Sequence, residues 1–509
     1  MSGESIQTAE SGVKRSQPAW LLDVLLLVWF AGHLAWWVRP ELLYQAGRPV
    51  FSLTPEFAAP FWRECGGLAR YLGLWLAQFD AFGWPGVLIR VGEAAAIGWL
   101  CQAVVVTAGA RRANWQRWLP MALFMLLCGR YDQWPGTAPA LLGLLLFTRL
   151  GQCLPERFGL VGSALVAAVA TYTCAGAADS VHLVMGLCGM GLVWAVGSAW
   201  ASRVTAPVLL CLLAVAYAPT RTTLGQLTAP GLSSSWRDLL TLGLFAVVPL
   251  SLLGKRWSGS WLAGLAPRVR ALAAVGAWLS VCALAVGPAD DAAGRDAADR
   301  DYCLTHGLWD RLLALGPGDA ASPRALLDLH DFDLALYQRG RLADDLFRYR
   351  QMPSALLLPF SDRAPLAYRW RCGDQYLRLG RLNLAEHLLL DALPSAPGDP
   401  LLLRQLAYVY LVKGDLPTAR LYLTRLTYDI AQRDWARRYL ALAERDPDLV
   451  SDTQIQSLRA NRLTREDVLE VYDRSDDGSK LSWPRLPDRM LVSLMRSNRH
   501  NRMAYEYLV

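Results

Sequence analysis

Hydrophobic and polar positions divide the chain into two parts that meet near residue 288. Before it, long apolar runs follow one another with short polar breaks, whereas beyond it apolar residues recur at helical spacing among charged ones. The boundary segment 267–288, PRVRALAAVGAWLSVCALAVGP, starts with basic residues and is followed by Asp290 and Asp291. A helix needs about 20 apolar residues to cross a bilayer. The pattern therefore predicts a last membrane span followed by a part that lies outside the lipid.

The first part contains nine apolar runs that are candidate membrane spans. They lie at 19–38, 85–108, 118–130, 137–152, 158–176, 180–201, 205–220, 238–254 and 268–288. The third and fourth are short, so whether 118–130 and 137–152 cross fully or form a hairpin stays open. Both alternatives leave the number of crossings odd. Residues 1–18 and the part after residue 288 are therefore predicted on opposite sides of the membrane.

The distribution of Lys and Arg gives the orientation. Loops assigned to the inside carry twelve of these residues and loops assigned to the outside carry seven, and cytoplasmic loops are the richer ones in membrane proteins. The first run ends in AWWVRP, without the small residues of a signal-peptide cleavage site, so we expect a retained helix. The N-terminal 1–18, polar and predicted to be disordered, is placed in the cytoplasm, and the C-terminal part outside it.

The loop between the first two spans, 39–84, carries its own helical pattern. From Glu56 onward, large apolar residues recur at helical spacing with charged residues between them. Such a segment is typical of an amphipathic helix that lies in the membrane interface, a depth that also suits its tryptophans. We assign this loop and all the spans to a transmembrane domain, 19–288.

An internal repeat marks the second part, after a charged linker at 289–300. A small residue, an aromatic, a glycine and an alanine recur 34 residues later. The first set is Gly373, Tyr376, Gly380 and Ala385, and the second is Ala407, Tyr410, Gly414 and Ala419. This pattern resembles the tetratricopeptide repeat (TPR), in which two helices cross closely at small residues and a glycine ends the first helix.

Flanking helices are expected to complete the repeat array, because two repeats alone are marginally stable. A degenerate copy is centred on Gly340, and helical patterns recur at 434–446 and 463–473. We delimit a TPR-like domain at 301–474 and a tail at 475–509, whose terminal helix starts near residue 489. The terminal helix packs on the array, or the natural chain continues past Val509. The predicted fold class is all-α: a polytopic transmembrane helix bundle followed by a soluble TPR-like α-solenoid.

Charge and cysteine usage exclude several function classes. The net charge is +7, but residues up to 287 carry 20 Lys and Arg against 12 Asp and Glu, which leaves 31 against 32 for the rest. The non-membrane part is therefore nearly neutral, unlike a nucleic-acid binder. The ten cysteines form no CxxC, and most lie in apolar runs. We predict no metal site and no cofactor.

Charged residues inside the spans are candidate functional positions, because burying a charge in lipid is costly. Arg90 and Glu93 share a helix face, so they form either a neutral structural pair or a substrate or proton site. Asp23 lies near the cytoplasmic end of its span, where we expect hydration. His182 lies one turn into the sixth span and is either a packed histidine or a proton carrier.

Two segments, SNRHNRMAYEYL at 497–508 and GGLARYLGLWLAQFD at 66–80, resemble an uncharacterised family of bacterial multi-pass membrane proteins. The resemblance covers most of the chain and implies a location in the bacterial inner membrane. It implies no activity. With the orientation above, the TPR-like domain would lie in the periplasm or otherwise outside the cytoplasm.

The order of the predicted parts is similar in outline to membrane glycosyltransferases that use polyprenyl-linked sugars. In those enzymes an acid of the first outer loop acts as a base or a metal ligand. The acids of this chain that could take such a role are Glu41, Glu56, Asp80 and Asp132. A carboxylate there would activate an acceptor hydroxyl at the lipid interface. The likeness is one of architecture alone.

Two functions from different classes follow. The first is a membrane-anchored scaffold whose repeat domain binds a protein or peptide partner, since stacked helical repeats form extended binding surfaces. The second is the glycosyltransferase-like enzyme. A transporter is less favoured, because the sequence has no inverted repeat and no pair of Gly/Pro-broken spans. A filled bundle with a groove on the repeats would favour the scaffold, and acids converging on an outer cavity would favour the enzyme.

Overall fold

The computed structural model describes the chain in several stretches. These are 19–47, 51–64, 66–109, 114–131, 136–153, 291–352, 354–358, 365–396, 398–463 and 487–509, with short pieces at 169, 240–241, 243–244, 246–248, 275–276, 279–280, 282–283, 473–474 and 481–482. The predicted spans from 158–176 to 268–288 lie largely outside these residues, as does the predicted helix at 463–473.

Helix dominates the described residues, which confirms the all-α class. The predicted transmembrane domain contains α1 (Ala19–His33), α2 (Pro40–Gly47), α3 (Pro55–Arg63), α4 (Gly67–Ala77), α5 (Trp84–Thr107), α6 (Trp115–Cys128) and α7 (Thr137–Cys153). The second part contains α8 (Ala292–His306), α9 (Trp309–Ala314), α10 (Ala325–Gln338), α11 (Leu342–Asp345), α12 (Leu366–Arg378), α13 (Leu382–Ala392), α14 (Pro400–Lys413), α15 (Leu416–Leu426), α16 (Arg433–Arg445), α17 (Thr453–Ala460), α18 (Pro487–Ser497) and α19 (Arg502–Leu508). The strands that it describes are two residues each, β1 (Asp473–Arg474) and β2 (Leu481–Ser482), paired antiparallel.

The chain forms two compact units, whose boundaries in the sequence differ from those of the predicted domains. One consists of Met1–Val38, Val87–Arg130 and Thr137–Asp290. The other, here the helical unit, consists of Arg39–Gly86, Tyr131–Gly136 and Asp291–Val509. The segment 39–84, which the sequence predicts as the first outer loop, therefore groups with the C-terminal part rather than with the predicted spans.

In the first unit, two described helices are long and apolar enough to cross a membrane. They are Trp20–Val38, in which a π-helical turn at Leu34–Val38 extends α1, and α5, with mean hydropathies of 1.8 and 1.5. The shorter α6 and α7 have 14 and 17 residues. Gly98 of α5 lies against α6, since a Cβ there would meet the Arg117 carbonyl oxygen at 2.9 Å.

The first outer loop forms two helices where the pattern predicts one. α3 begins at Thr54, whose hydroxyl accepts the Phe57 N–H, and the chain turns at Gly66 with a φ of +75° before α4 starts. A Cβ on Gly67 would lie 1.8 Å from the Phe61 carbonyl oxygen, so the two helices approach too closely for a side chain there. The glycine pair thus breaks the helix into a hairpin.

The same loop packs on the start of the C-terminal part. The predicted linker is mostly helix, because the Asp291 side chain accepts the Gly294 N–H and caps α8. From α2, the Gln45 amide donates to the Thr305 hydroxyl at 3.1 Å and to the Asp301 carbonyl at 3.4 Å. Arg39 forms an ion pair with Asp299 at 3.4 Å. These contacts lie inside the helical unit.

Antiparallel helix pairs form the core of the helical unit. α12 packs against α13 and α14 against α15, and the first helix of each pair ends at a glycine in the left-handed region, Gly380 (φ 84°) and Gly414 (φ 83°). The next N–H bonds back to the carbonyl of Tyr376 or Tyr410, which is the Schellman arrangement. Gly340 after α10 has the same turn, so all three glycines end helices in the same way.

The terminal helix closes the array on one side. Asn501 caps α19 by accepting the Ala504 N–H, and its amide donates to the Leu379 carbonyl at 2.9 Å. Tyr507 packs edge-on against Tyr337 with ring centroids 6.0 Å apart. The tail helix is therefore an integral part of the helical unit.

Candidate binding groove on the helical unit

An open groove of about 750 Å³ runs across the first helices of the pairs. The lining side chains come from α8, α9, α10, α12, α14 and α17, and α13 and α15 contribute none of them. Among them are Trp309, Tyr337, Trp370 and Tyr408. The aromatic residues and their neighbouring leucines give this groove an apolar floor. We call it the aromatic groove.

A second cavity of about 620 Å³ shares Arg404, Tyr408 and Gln454 with the aromatic groove and extends to α16. Three rings meet there, with centroid distances of 5.2 Å between Tyr408 and Trp435 and 4.9 Å between Trp435 and Tyr439. Arg404, Arg438 and Arg445 also line it. We call this cavity the arginine end.

Aromatic rings orient the charge at the arginine end. The Arg404 guanidinium lies 4.7 Å from the centre of the Trp435 ring, and Arg438 lies 5.8 Å from that of Tyr439. Asp452 is the acid that lines this cavity, and its oxygens accept the Tyr439 hydroxyl at 3.0 Å and the Ile455 N–H at 2.9 Å. Burial raises the pKa of Tyr439, and the neighbouring Tyr408 and Asp452 raise it further. The Tyr439 hydroxyl therefore stays protonated and donates its hydrogen bond to Asp452.

A buried ionic cluster supports one wall of the aromatic groove. Arg371 of α12 makes two hydrogen bonds to Asp331 of α10, at 2.7 and 2.6 Å, and one to Asp301 of α8 at 2.5 Å. Arg324 reaches the same Asp301 oxygen at 3.0 Å. The Arg371 guanidinium lies 4.5 Å from the centre of the Trp370 ring. The cluster thus joins three helices beneath a residue that lines the groove.

A single buried carboxyl group stands apart from that cluster. Asp333 of α10 is fully buried; one oxygen faces the Gln351 amide at 3.5 Å and the other has no hydrogen-bond partner among the described residues. Burial raises the pKa of Asp333 to about 7. Burial also raises the pKa of Tyr507, with Asp333 as a further cause. Both groups are held in their neutral forms at moderately acidic pH.

Comparison with known proteins gives one match. The family model "Family of unknown function (DUF6057)" matches residues 15–509. The chain belongs to this family. The resemblance to an uncharacterised family is consistent with that finding. Neither curated proteins nor solved structures give a match.

The acids suggested by the glycosyltransferase outline fall at different places in this DUF6057 member. Glu41 of α2 lies beside Gly83, where a Cβ would be 2.8 Å from Glu41 Oε1, and Asp80 lies beside Gly86, where a Cβ would be 2.7 Å from Asp80 Oδ1. Two acids thus flank one turn of the outer loop. Glu56 is exposed in the first turn of α3, and Asp132 lies outside the described residues.

Three of the charged residues that the sequence marks as candidate functional positions in the spans are described, and all three form ion pairs. Arg90 and Glu93 form a buried pair at 3.2 Å. Asp23 is buried rather than hydrated, because Arg117 pairs with it at 2.6 Å and the Trp118 indole donates to it at 2.8 Å. Trp118 and Asp23 are 95 positions apart in the chain, so no local pattern predicts that they meet. His182 lies outside the described residues.

The residues that define the repeat lie at the crossings and turns of the helix pairs. A Cβ on Gly373 would lie 2.5 Å from Leu389 of the facing helix, and Ala385, Ala407 and Ala419 are fully buried. Tyr410 donates from its hydroxyl to Glu386, which also pairs with Lys413. These positions support packing, and none of the eight lines the aromatic groove.

Sequence reasoning missed the groove residues themselves. Trp370, Arg404 and Trp435 belong to different helices and are separated by about 30 residues each, so no local motif joins them. One available signal was the spacing of Arg438 and Arg445, seven positions apart on a strongly amphipathic helix and hence on one face. Among the described residues, no group of three or more His, Cys, Asp or Glu is placed to hold a metal ion.

Proposed function

We propose that this protein is a membrane-anchored interaction protein whose helical unit binds an extended segment of a protein partner. The aromatic groove is the observation that carries the proposal. It is open, it lies on the first helices of consecutive pairs, and it combines Trp309, Trp370 and Tyr408 with polar groups. Large aromatic side chains next to Arg and amide groups are typical of the centres of protein interfaces.

The repeat geometry supports a TPR-like interpretation of the helical unit. The pairs α12–α13 and α14–α15 have their turn glycines 34 residues apart, with the same left-handed conformation and the same return hydrogen bond. Small residues stand where the paired helices cross, as at Gly373. Stacked pairs of this kind present the side chains of their first helices along one surface. A segment of a partner can follow that surface over several helices.

Three separate stretches of chain support a location of the helical unit on one side of a membrane. Arg39–Gly86, Tyr131–Gly136 and Asp291–Val509 belong to this one unit. Under the predicted topology each of these stretches lies outside the cytoplasm. The second and third spans lie between stretches 39–86 and 131–136. An even number of later spans lies between stretches 131–136 and 291–509. We therefore assign the helical unit to the periplasmic face of the bacterial inner membrane.

Exposed aromatic residues of the outer loop support contact with the lipid bilayer. Trp62 and Trp84 are 58% and 59% exposed, and Phe82 is 51% exposed. Indole rings prefer the headgroup region, where an apolar body and a polar N–H are both accommodated. The α3–α4 hairpin, which carries Trp62 and Trp75, would then lie in the membrane interface.

Site-specific photo-cross-linking in living cells tests the proposed function. The cross-linking residue p-benzoylphenylalanine replaces Ser457, which lines the aromatic groove, or Leu421, which is 70% exposed on α15 and away from it. Irradiation should give a discrete protein adduct at position 457 and none at 421. Equal labelling at both positions, or none at 457, would show that the groove does not hold a protein partner.

A second candidate function rests on the two acids beside the outer turn. Glu41 Oε2 has no hydrogen-bond partner among the described residues, and Asp80 lies along the same Gly83–Gly86 turn. Asp80 and Glu41 Oε2 are buried at this turn, and either carboxylate could act as the base for a polyprenyl-linked sugar that reaches it. Purified protein, given such a donor and an acceptor alcohol, would then transfer the sugar to the acceptor hydroxyl, whose proton the carboxylate takes, and release polyprenyl phosphate. Glu41→Gln should abolish the release and Glu56→Gln should leave it unchanged.

A further inference from the structure

Three guanidinium groups at the arginine end lack an acidic partner among the described residues. Elsewhere in the helical unit, arginines such as Arg371 and Arg378 pair with carboxylates at 2.5–2.6 Å. Arg404, Arg438 and Arg445 form no ion pair in the described part of the chain. The acid that lines this cavity, Asp452, is occupied by Tyr439 and by the cap of α17. The positive charge of this cavity is therefore available to a ligand.

The neighbouring aromatic groove has a different character. Its lining includes Trp309, Trp370 and Leu377. Two arginines line it, Arg404 and Arg378, and Asp374 neutralises Arg378 through an ion pair at 2.6 Å. Gln405 is 92% buried there, and its Oε1 has no hydrogen-bond partner among the described residues. A buried amide without a partner is costly, and a backbone N–H of a bound chain would satisfy it.

We propose that the partner segment is amphipathic along its length, with a large apolar or aromatic residue in the aromatic groove and Asp or Glu at the arginine end. The inference deepens the proposed function and rests on it. Guanidinium groups bind carboxylates with paired, charge-assisted hydrogen bonds. The Trp435 ring lies 4.7 Å from the Arg404 guanidinium, and this contact restricts that side chain before an acid binds.

Charge distribution favours an acidic peptide over a nucleic acid. The part of the chain after residue 287 carries 31 Lys and Arg against 32 Asp and Glu. Its positive charge is local to one cavity, whereas nucleic-acid binders neutralise many phosphates over an extended basic surface. A short acidic stretch needs only the few guanidinium groups that the cavity supplies.

Peptide selection on the full chain tests the inference. The protein is reconstituted in nanodiscs of phosphatidylcholine and exposed to a displayed library of random twelve-residue peptides, with empty nanodiscs as the background. The wild type should enrich peptides that combine Asp or Glu with an aromatic or large apolar residue. The double variant R438E/R445E should instead enrich Lys and Arg, because its cavity has the opposite charge.

The control is R420E/R437E, which changes the net charge by the same amount. Arg420 and Arg437 are exposed on α15 and α16, and neither lines the groove. This variant should select the same acidic peptides as the wild type. For one selected peptide, R438E/R445E should weaken binding at least about tenfold and R420E/R437E less than about twofold, since exposed remote charges are screened. R438Q/R445Q removes the two positive charges without reversing them. With this variant, the selected peptides should show no enrichment of Asp or Glu.

The outcomes separate the inference from the proposed function. Enriched peptides without excess acid, or the same acidic peptides in R438E/R445E, would overturn the inference and leave the groove as a peptide site. An equal change in both double variants would attribute the selection to net charge and also overturn it. No enrichment above empty nanodiscs would overturn the proposed function itself. Binding of single-stranded DNA or anionic vesicles that R438E/R445E abolishes, without peptide enrichment, would assign the cavity to another class of ligand.

Discussion

At the scale of single residues, the turn glycines that repeat in the sequence occupy different surroundings. Gly380 and Gly414 share a left-handed φ, yet a Cβ on Gly380 would lie 1.8 Å from the Asn461 carbonyl oxygen. On Gly414 the nearest atom would be the end of the Arg459 side chain at 4.0 Å. Backbone after α17 therefore packs against the Gly380 turn, whereas the carbonyls before Gly414 accept hydrogen bonds from the Arg459 and Arg462 side chains.

Gly380→Ala should consequently destabilise the protein more than Gly414→Ala. Both pay the left-handed strain of about 1–2 kcal/mol, but only Gly380→Ala must also displace backbone. Thermal unfolding of the full chain in detergent, followed by tryptophan fluorescence, should show a drop in Tm for Gly380→Ala at least about twice that for Gly414→Ala. Equal drops would mean that the Asn461 segment does not contact this turn.

The buried carboxyl of Asp333 predicts a pH dependence of stability. Its pKa is about 7 in the folded protein and about 3.9 in an unfolded chain. Between these values the unfolded state binds fewer protons, so this group's contribution to stability falls as the pH rises from about 4 to about 7. Asp333→Asn removes that loss and should raise Tm by a few degrees at pH 8.

The same variant should differ little from the wild type at pH 4.5, where Asp333 is neutral in the folded state. Asp344→Asn, at an exposed position of α11, serves as the control and should follow the wild type at both pH values. If the difference between Asp333→Asn and the wild type does not change with pH, Asp333 is ionised in the folded protein.

At the scale of elements, ionic contacts join helices that the sequence pattern leaves separate. Arg371 of α12 connects α10 through Asp331 and α8 through Asp301, and all three side chains are buried. Removing one partner of such a cluster leaves the others charged and unpaired in a low-dielectric site, which costs about 3–5 kcal/mol. The cluster thus ties the predicted linker region to the repeat core.

Arg371→Met should therefore lower Tm by roughly ten degrees or more. The comparison is Arg348→Met, because the Arg348 side chain is 71% exposed although it pairs with Asp345 at 2.9 Å. Asp345 is buried but keeps Arg341 as a partner in that variant. An ion pair to an exposed arginine contributes about 0–1 kcal/mol, so Tm should shift by at most a few degrees. Comparable shifts would contradict the burial of the cluster.

At the scale of the whole molecule, the grouping of three chain stretches in the helical unit predicts topology. Stretches that fold together are expected on the same side of a membrane, so the grouping predicts that 39–86, 131–136 and 291–509 share one side. Alkaline phosphatase, which is active only outside the cytoplasm, should be active when fused after Gly136 or Val509 and inactive after Gly109. Activity after Gly109, or its absence after Val509, would contradict this arrangement.

Much of the fold was predictable because it depends on local patterns. Apolar runs predict α1 and α5, helical spacing predicts α12 to α16, and the glycine of each repeat marks the end of a helix. The groove was not predictable, since it depends on which faces of distant helices come together. The break at Gly66 was also missed, because an amphipathic period continues through it while a close approach of Phe61 and Gly67 divides the helix.

The sequence by itself determined the all-α class, the residues that recur after 34 positions and the positions of the turn glycines. Hydrophobic spacing and backbone conformation act over a few residues, so local patterns reveal them. Only the tertiary structure decided that Asp23 pairs with Arg117, that the first outer loop folds with the C-terminal part, and that Arg404, Arg438 and Arg445 line one cavity. Those outcomes depend on contacts between positions far apart in the chain, and local patterns carry no record of them.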